Sequence, residues 1–253
     1  MPTHPTQLAI VSDVHGNVTA FEAVLADIDA RGIERIVNLG DVVGKGPRGS
    51  EAVKLSRQRC AVTVRGNWDS FISDEAIELG PDTQWTREEL TSDDLEWLAG
   101  LPGSLDLRVS GRHVRLFHAS QVSEFHRVRR QHTSEEFRAM FTNTDFTGHG
   151  PCPTVVGYGD IHRTYLETNE GLTLFNAGSV GNHLDAPTAS YAVLTGELDG
   201  SAPGPFGIEF VRVPYDIEAE VAAARDLGLP DVELYAVELR EGVYRGDQRR
   251  RGG

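Results

Sequence analysis

Leu8-Ala9-Ile10-Val11-Ser12-Asp13-Val14-His15-Gly16-Asn17 reads as an apolar strand that ends in a carboxylate and an imidazole two residues apart. The construction recurs along the chain. Arg35-Ile36-Val37-Asn38-Leu39 runs into Gly40-Asp41, and Ala61-Val62-Thr63-Val64 runs into Gly66-Asn67. His113-Val114-Arg115-Leu116-Phe117 leads to His118, and Thr154-Val155-Val156 leads to Asp160-Ile161-His162. Ligand sites in layered α/β sheets collect where strands end. These five ends supply carboxylates, imidazoles and one amide oxygen, a donor mixture suited to hard and borderline divalent cations. One such motif arises by chance, whereas five in this order define a metal site.

The segments between the motifs set the fold. Thr19 to Arg31 carries Phe21, Val24, Leu25 and Ile28 at helical spacing and stops at Gly32. Gly49 to Arg59 reads as a second helix, with Ala52, Val53 and Leu55 buried. A β-α-β-α-β run of this kind implies a parallel sheet with right-handed crossovers. Thr91 or Ser92 caps a helix through Leu95, Trp97 and Leu98 that Gly100 and Pro102 end. The second part is strand-rich, with strands over 104–109, 113–117, 154–157, 163–168, 172–175, 190–194 and 207–213. Turn signals such as Asn169-Glu170-Gly171 predict an antiparallel or mixed sheet there. Ile217 to Leu227 reads as a final helix. The expected architecture is α/β, with two sheets face to face under outer helices. One domain covers residues 1–245, and residues 246–253 form a flexible basic tail.

Composition bounds the function. The 253 residues fit one large domain with a sizeable core, at 39% hydrophobic and 25% charged. A formal net charge of -14 argues against a duplex DNA partner, although bound metals would make their site locally positive. Cys60 and Cys152 read as reduced packing residues, which favours a cytoplasmic setting. Met1 to Gln7 is polar and runs into a strand, so neither a signal peptide nor a membrane partner is expected. The sequence leaves the oligomeric state open.

Taken as a set, Ser12-Asp13-Val14-His15-Gly16-Asn17, Leu39-Gly40-Asp41-Val42-Val43-Gly44, Arg65-Gly66-Asn67-Trp68-Asp69, Phe117-His118 and Gly159-Asp160-Ile161-His162 resemble the calcineurin-like metallophosphoesterases. The nearest likeness is to the small bacterial YfcE-like phosphodiesterase branch. Phe175-Asn176-Ala177-Gly178-Ser179-Val180-Gly181 is similar to the segment that follows the last metal motif there. The resemblance spans roughly residues 8 to 194. It implies a four-layer αββα sandwich, with two mixed β-sheets flanked by helices, and a centre of two divalent metals. Mn²⁺ is favoured, with Fe, Mg²⁺ or Zn²⁺ as alternatives. Carried over by position, Asp13, His15 and His162 hold one metal, Asn67, His118 and Asp160 hold the other, and Asp41 bridges them. Two metals about 3.5–4 Å apart can share a hydroxide for in-line attack and clamp the phosphate oxygens.

Two departures from the family pattern matter. Asp160 stands where most members have the first histidine of Gly-His-x-His. That leaves three readings: an intact site biased toward a hard ion, a weakened second metal, or a carboxylate that faces away and accepts a hydrogen bond. Trp68 stands where many members carry a histidine thought to protonate the leaving group, and an indole N–H is no general acid at neutral pH. Low-pKa leaving groups and strained cyclic diesters should suffer least.

The candidate catalytic set is therefore Asp13, Asp41, Asn67 and Arg65, with Asn17, Arg65 and Trp68 as candidate substrate contacts. Each has a plainer reading beside it. Arg65 could be a strand-end surface arginine, and Asn17 could stabilise its turn. Lys45 reads as an exposed loop lysine. His126 and His132, with Arg127, Arg129 and Arg130, read as a solvated stretch sooner than a substrate flap. His183 is a fallback ligand if position 160 fails. The expected activity is hydrolysis of small phosphodiesters, of nucleotide or 2′,3′-cyclic phosphate type. The alternatives are a phosphomonoesterase, a protein or dinucleoside polyphosphate phosphatase, and a binding scaffold that keeps the fold without turnover. Gly44-Lys45-Gly46 argues against the polyphosphate branch, which has an Asp-Arg pair there.

Overall fold

The computed structural model describes residues 6–252; His4, the other N-terminal residues before Thr6, and Gly253 lie outside them. Strand β1 (Thr6–Val11) is followed by α1 (Val18–Ala30), β2 (Arg35–Asn38), α2 (Gly49–Arg59) and β3 (Val62–Thr63). β1, β2 and β3 are parallel neighbours, as the alternating pattern predicts. The strand-rich half begins after three short helices: α3 (Asn67–Ser73), α4 (Pro81–Glu88) and α5 (Ser92–Ala99). Then come β4 (Ser104–Val109), β5 (Arg112–Phe117), α6 (Ser134–Ala139), β6 (Val155–Tyr158), β7 (Tyr165–Asn169), β8 (Leu172–Asn176), β9 (Ala189–Gly196) and β10 (Gly207–Val213).

Two five-stranded mixed sheets result, ordered β10-β9-β1-β2-β3 and β4-β5-β6-β8-β7. In the second, β5, β6 and β8 run parallel, and the antiparallel strands β4 and β7 form its edges. The β7–β8 turn places Glu170 and Gly171 at φ of 54° and 78°, the handedness that a tight hairpin needs. β9 returns to the first sheet antiparallel to β1, and β10 adds antiparallel to β9 at the edge.

β1 is covered on both faces, and so reads as an unbroken apolar run. Leu8 and Ile10 join Val37, Leu116, Val155, Phe175 and Leu194 in the core between the sheets. Ala9 and Val11 face the other way, against Phe21, Val24 and Ile28 of α1. A third apolar cluster, with Phe117, Val156 and Tyr158, packs Val128, Phe137 and Met140 on the outer face of the second sheet. Helix, sheet, sheet and helix are thus the four layers.

The C-terminal region departs from expectation. Ile217–Asp226 (α7) is not the final helix. Val232–Glu241 (α8) packs on it, and Arg245–Gly252 (α9) packs on α8, where a flexible tail was anticipated. α9 has no apolar stripe to betray it. Polar contacts hold it instead, with Arg245 Nε donating to buried Glu238 at 2.8 Å and Gln248 Nε2 to the Leu234 carbonyl at 3.1 Å. Both cysteines are free; Cys60 packs against the helix-side core and Cys152 is exposed. No helix among the described residues is long and apolar enough to cross a membrane.

Candidate metal centre

The carboxyl ends of β1, β2 and β3 meet those of β5 and β6, and every sequence-nominated donor sits at one of these ends. The loops are cross-tied: Asp13 N donates to Gly40 O at 2.9 Å, His15 N to Asp41 O at 2.9 Å, and Gly159 N to His118 O at 2.8 Å. Asp160 N crosses between the sheets to Asp13 Oδ2 at 3.1 Å. Asp13, His15, Asp41 and His162 all hold positive φ, at 54°, 50°, 52° and 57°. Such backbone costs roughly 1–3 kcal/mol per residue and persists where the surroundings over-determine it, as at functional sites.

Six donors converge. Asp13, His15 and His162 form one tight buried group, and Asp13, Asp41 and His118 form another. His162 Nε2 lies 3.1 Å from Asp13 Oδ1, and His118 Nε2 lies 3.0 Å from Asn67 Oδ1. Asp41 reaches both groups through different oxygens, Oδ2 at 3.5 Å from His15 Nε2 and Oδ1 at 3.4 Å from His118 Nε2. That is the disposition a bridging carboxylate requires.

The imidazoles are held in one tautomer. Nδ1 of His15, His118 and His162 faces the carbonyl oxygens of Val43 at 3.2 Å, of Leu39 at 2.9 Å, and of Asn182. A carbonyl only accepts, so each Nδ1 carries the proton and each Nε2 offers a lone pair inward. Two of these lone pairs, on His15 and His162, meet at 3.2 Å. Asp13 Oδ1 is buried with no hydrogen-bond partner. Converging lone pairs beside an orphaned carboxylate oxygen are stable only with cations among them. The residues therefore fit a pair of divalent metals.

The electrostatics agree. Burial opposes the charge on Asp13, but His162, His118 and His15 hold its carboxyl well below the usual range. His15 is pushed well below the ordinary imidazole range by burial, then by Lys45 and His162. Burial also opposes charge on His118, yet Asp41, Asp13 and Asp160 drive it well above that range. The anionic side of the centre calls for positive charge.

Asp160, the second-metal ligand implied by the resemblance, has an arginine partner. Arg127 donates Nε to Oδ2 and Nη2 to Oδ1, both at 2.6 Å, and so occupies both carboxylate oxygens. Asp160 Oδ1 also stands 3.8 Å from His118 Nε2, so this pairing does not turn the carboxylate away from the centre. A short carboxylate beside a guanidinium makes the bidentate pair that an imidazole could not.

Two other candidates have partners as well. Arg65 gives Nε to Glu124 at 3.0 Å and Nη1 to Ala99 O at 3.3 Å, so its guanidinium is committed away from the centre. Asn17 is fully buried and structural: Oδ1 caps α1 at Ala20 N, 3.0 Å away, and Nδ2 donates to Gly181 O at 2.9 Å. Neither lines the cleft over the centre. Trp68 does wall the cleft over the centre, edge-on to His15 with ring centroids 5.8 Å apart. His183 is buried with neither ring nitrogen hydrogen-bonded, and it belongs to neither donor group.

Several residues around the centre have contacts that the sequence reading did not anticipate. Lys45 is buried, its Nζ donating to Asn182 Oδ1 at 3.0 Å, and burial followed by Arg245 lowers its pKa. Asp69 accepts from Val42 N at 2.8 Å and Gly66 N at 2.9 Å, tying the Asp41 and Asn67 loops together. Asn182 links His162 to Glu238 of α8, 3.2 Å from its Nδ2. Arg127 had one available signal, because a carboxylate in a neutral ligand's place needs a counter-cation. The centre opens into a cleft of ≈ 670 Å³ walled by Trp68, Tyr244, Lys45 and the Arg127–Gln131 strap. A larger groove of ≈ 1070 Å³, beside Lys54, Trp85 and Glu89, contains none of the metal donors.

A fold of this topology with this donor set defines a metallophosphoesterase. The model of the calcineurin-like phosphoesterase superfamily domain matches residues 7–199, and the chain belongs to that superfamily of phosphoester hydrolases. It is 31% identical over 229 residues to an uncharacterized protein of Methanocaldococcus jannaschii, covering 84% of this chain and 89% of that one. It is also similar to the crystal structure of a metallophosphoesterase from Sphaerobacter thermophilus, with a TM-score of 0.74 and 27% identity over 94% of this chain and 99% of that one. A hypothetical protein from Pyrococcus horikoshii OT3 shares the fold, with a TM-score of 0.73 and 18% identity over the same 94% and 99%.

Proposed function

We propose that the protein is a phosphodiesterase, working with Mn²⁺ on small nucleotide or 2′,3′-cyclic phosphodiesters. Asp13, His15, Asp41, Asn67, His118 and His162 would hold the metal pair, and carboxylate with imidazole suits Mn²⁺. When bound, such a pair supplies a Lewis acid for phosphoryl oxygens and a water of lowered pKa. The protein's own part is orientation and charge. Backbone carbonyls fix the three imidazoles, and Arg127, steadied by Asp160, holds a guanidinium at the rim where negative charge develops.

The observation that carries the diester reading is Trp68. It occupies the start of α3 beside Asn67, where a leaving-group acid would stand, and its ring packs on His15 and Phe71. His162 is the one histidine lining the cleft among the described residues, and its Nδ1 is committed to Asn182 O. Lys45, the cleft ammonium, donates to Asn182. A leaving group must therefore depart as a stable anion or with release of ring strain, and a five-membered 2′,3′-cyclic phosphate offers the strain.

The test is incubation of 2′,3′-cyclic AMP, and separately of 3′-AMP, with Mn²⁺-loaded protein and product analysis. Ring opening to a monophosphate that then accumulates supports the reading. Faster release of inorganic phosphate from 3′-AMP contradicts it.

A further inference from the structure

We propose that the cleft contains a second phosphate subsite beside the metal centre, built on Arg129 and Arg130 with Arg163, and that substrates carry a phosphate besides the scissile one. The inference rests on the phosphoester reading of the centre. It starts from a charge imbalance. The chain has 38 acidic and 24 basic side chains, yet six basic residues, Lys45, Arg127, Arg129, Arg130, Arg163 and Arg250, line this cleft against only Asp160 and Asp247. Both acids are already paired, Asp160 with Arg127 and Asp247 with Arg250. Arg129, Arg130, Arg163 and Lys45 make no ion pair among the described residues. Lys45 is taken up by Asn182 and faces Glu238, which leaves three guanidinium groups without an ion pair around one cleft of an acidic protein, enough to raise the local concentration of anions.

The strap that presents Arg129 and Arg130 is pinned on both sides of its stem. Arg127 is gripped by Asp160, which stands 3.8 Å from the metal-site His118 Nε2. Val128 is buried in the outer core, and Tyr158 OH donates to its carbonyl at 2.9 Å. The two exposed arginines are thus carried on a fixed base next to the centre, so less ordering is lost when they grip an oxyanion. Guanidinium groups match phosphate geometry by paired N–H donors. The metals hold one phosphate, and this group of cations holds another. The substrate class is a phosphodiester that carries a further phosphate, such as a 5′-phosphorylated dinucleotide or a 2′,3′-cyclic nucleotide with a 5′-phosphate.

The experiment is calorimetric binding of adenosine 3′,5′-bisphosphate and of AMP to Mn²⁺-loaded protein at fixed ionic strength. Both ligands bring one phosphate to the metals, so their affinity ratio reads the second subsite. Wild-type protein should favour the bisphosphate by about tenfold or more, a typical gain for one charge-assisted contact pair. R129Q/R130Q should bring the ratio to within about threefold. R138Q, on α6 and paired with Glu170, controls for the change in charge and should leave the ratio unchanged. A wild-type ratio near one, or a double variant that weakens both ligands in equal proportion, overturns the proposal. Turnover of a one-phosphate diester by wild-type protein tests the underlying activity separately.

Discussion

Arg127 closes on Asp160 through two parallel hydrogen bonds of 2.6 Å, so a side chain of the protein supplies the positive charge that the carboxylate at position 160 demands. Asp160 is only 4% exposed, and removing its partner would strand a buried charge. Because Arg127 itself is half-exposed, the cost of Arg127→Ala is about 1–2 kcal/mol. Mn²⁺ should reduce that cost, since a nearby cation can satisfy the freed carboxylate. Urea unfolding with and without Mn²⁺ checks this. An equal loss of stability in both conditions would show that Asp160 does not sense the metal centre.

Trp68 sets the leaving-group requirement, so Trp68→His should relax it. The imidazole would stand beside Asn67 with a pKa suited to proton donation. For diesters with alkyl leaving groups, the rate relative to p-nitrophenyl esters should rise by about tenfold or more. An unchanged ratio would mean that the leaving group does not depart past position 68.

The two sheets touch at Gly159. A Cβ there would sit 2.0 Å from Ser12 Oγ and 2.6 Å from Asp13 Oδ2. Ser12 cannot yield freely, because its hydroxyl donates to that same Asp13 oxygen at 2.5 Å. Gly159→Ala should cost about 1–3 kcal/mol, as overpacking does, and lower the bound Mn²⁺ per chain. Thermal melting and metal analysis of the purified variant read the two effects.

How far the sequence disclosed this centre depends on how each residue does its work. Asp13, His15, Asp41, Asn67, His118 and His162 were legible because each follows an apolar run, and strand ends are where a layered sheet gathers ligands. The two-sheet architecture was legible for the same reason, through alternation and turn signals. Arg127 and Lys45 were not, since their meaning lies in partners 33 and 137 positions away, Asp160 and Asn182. Helix α9 was hidden too, because ionic contacts such as Arg245 with Glu238 hold it to α8 and local periodicity does not record them, whereas α8 does carry an apolar stripe in Tyr235, Ala236 and Leu239. Arg65 and Asn17 show the opposite case. Their neighbourhood in the motifs was functional, but their side chains serve Glu124 and the cap of α1.

Burial raises the carboxyl of Glu89 to about 7, against an ordinary value of 4.5. The folded protein therefore holds a proton there that the unfolded chain has lost between these values. Stability from this group is fully present below about 4.5 and disappears as pH rises through about 7. Glu89→Gln should remove that slope, so the variant gains about 1–2 kcal/mol on wild type between pH 5 and pH 8, after allowance for solvent screening. Denaturant melts at the two pH values measure the difference, and parallel behaviour of the two proteins would contradict it.

The central claim is a two-metal centre that cleaves diesters. Its most direct test is hydrolysis of bis-p-nitrophenyl phosphate beside p-nitrophenyl phosphate, with Mn²⁺ and with a chelator. Faster diester cleavage that vanishes with chelator is the predicted result. A preference for the monoester, or turnover that survives chelation, would contradict it.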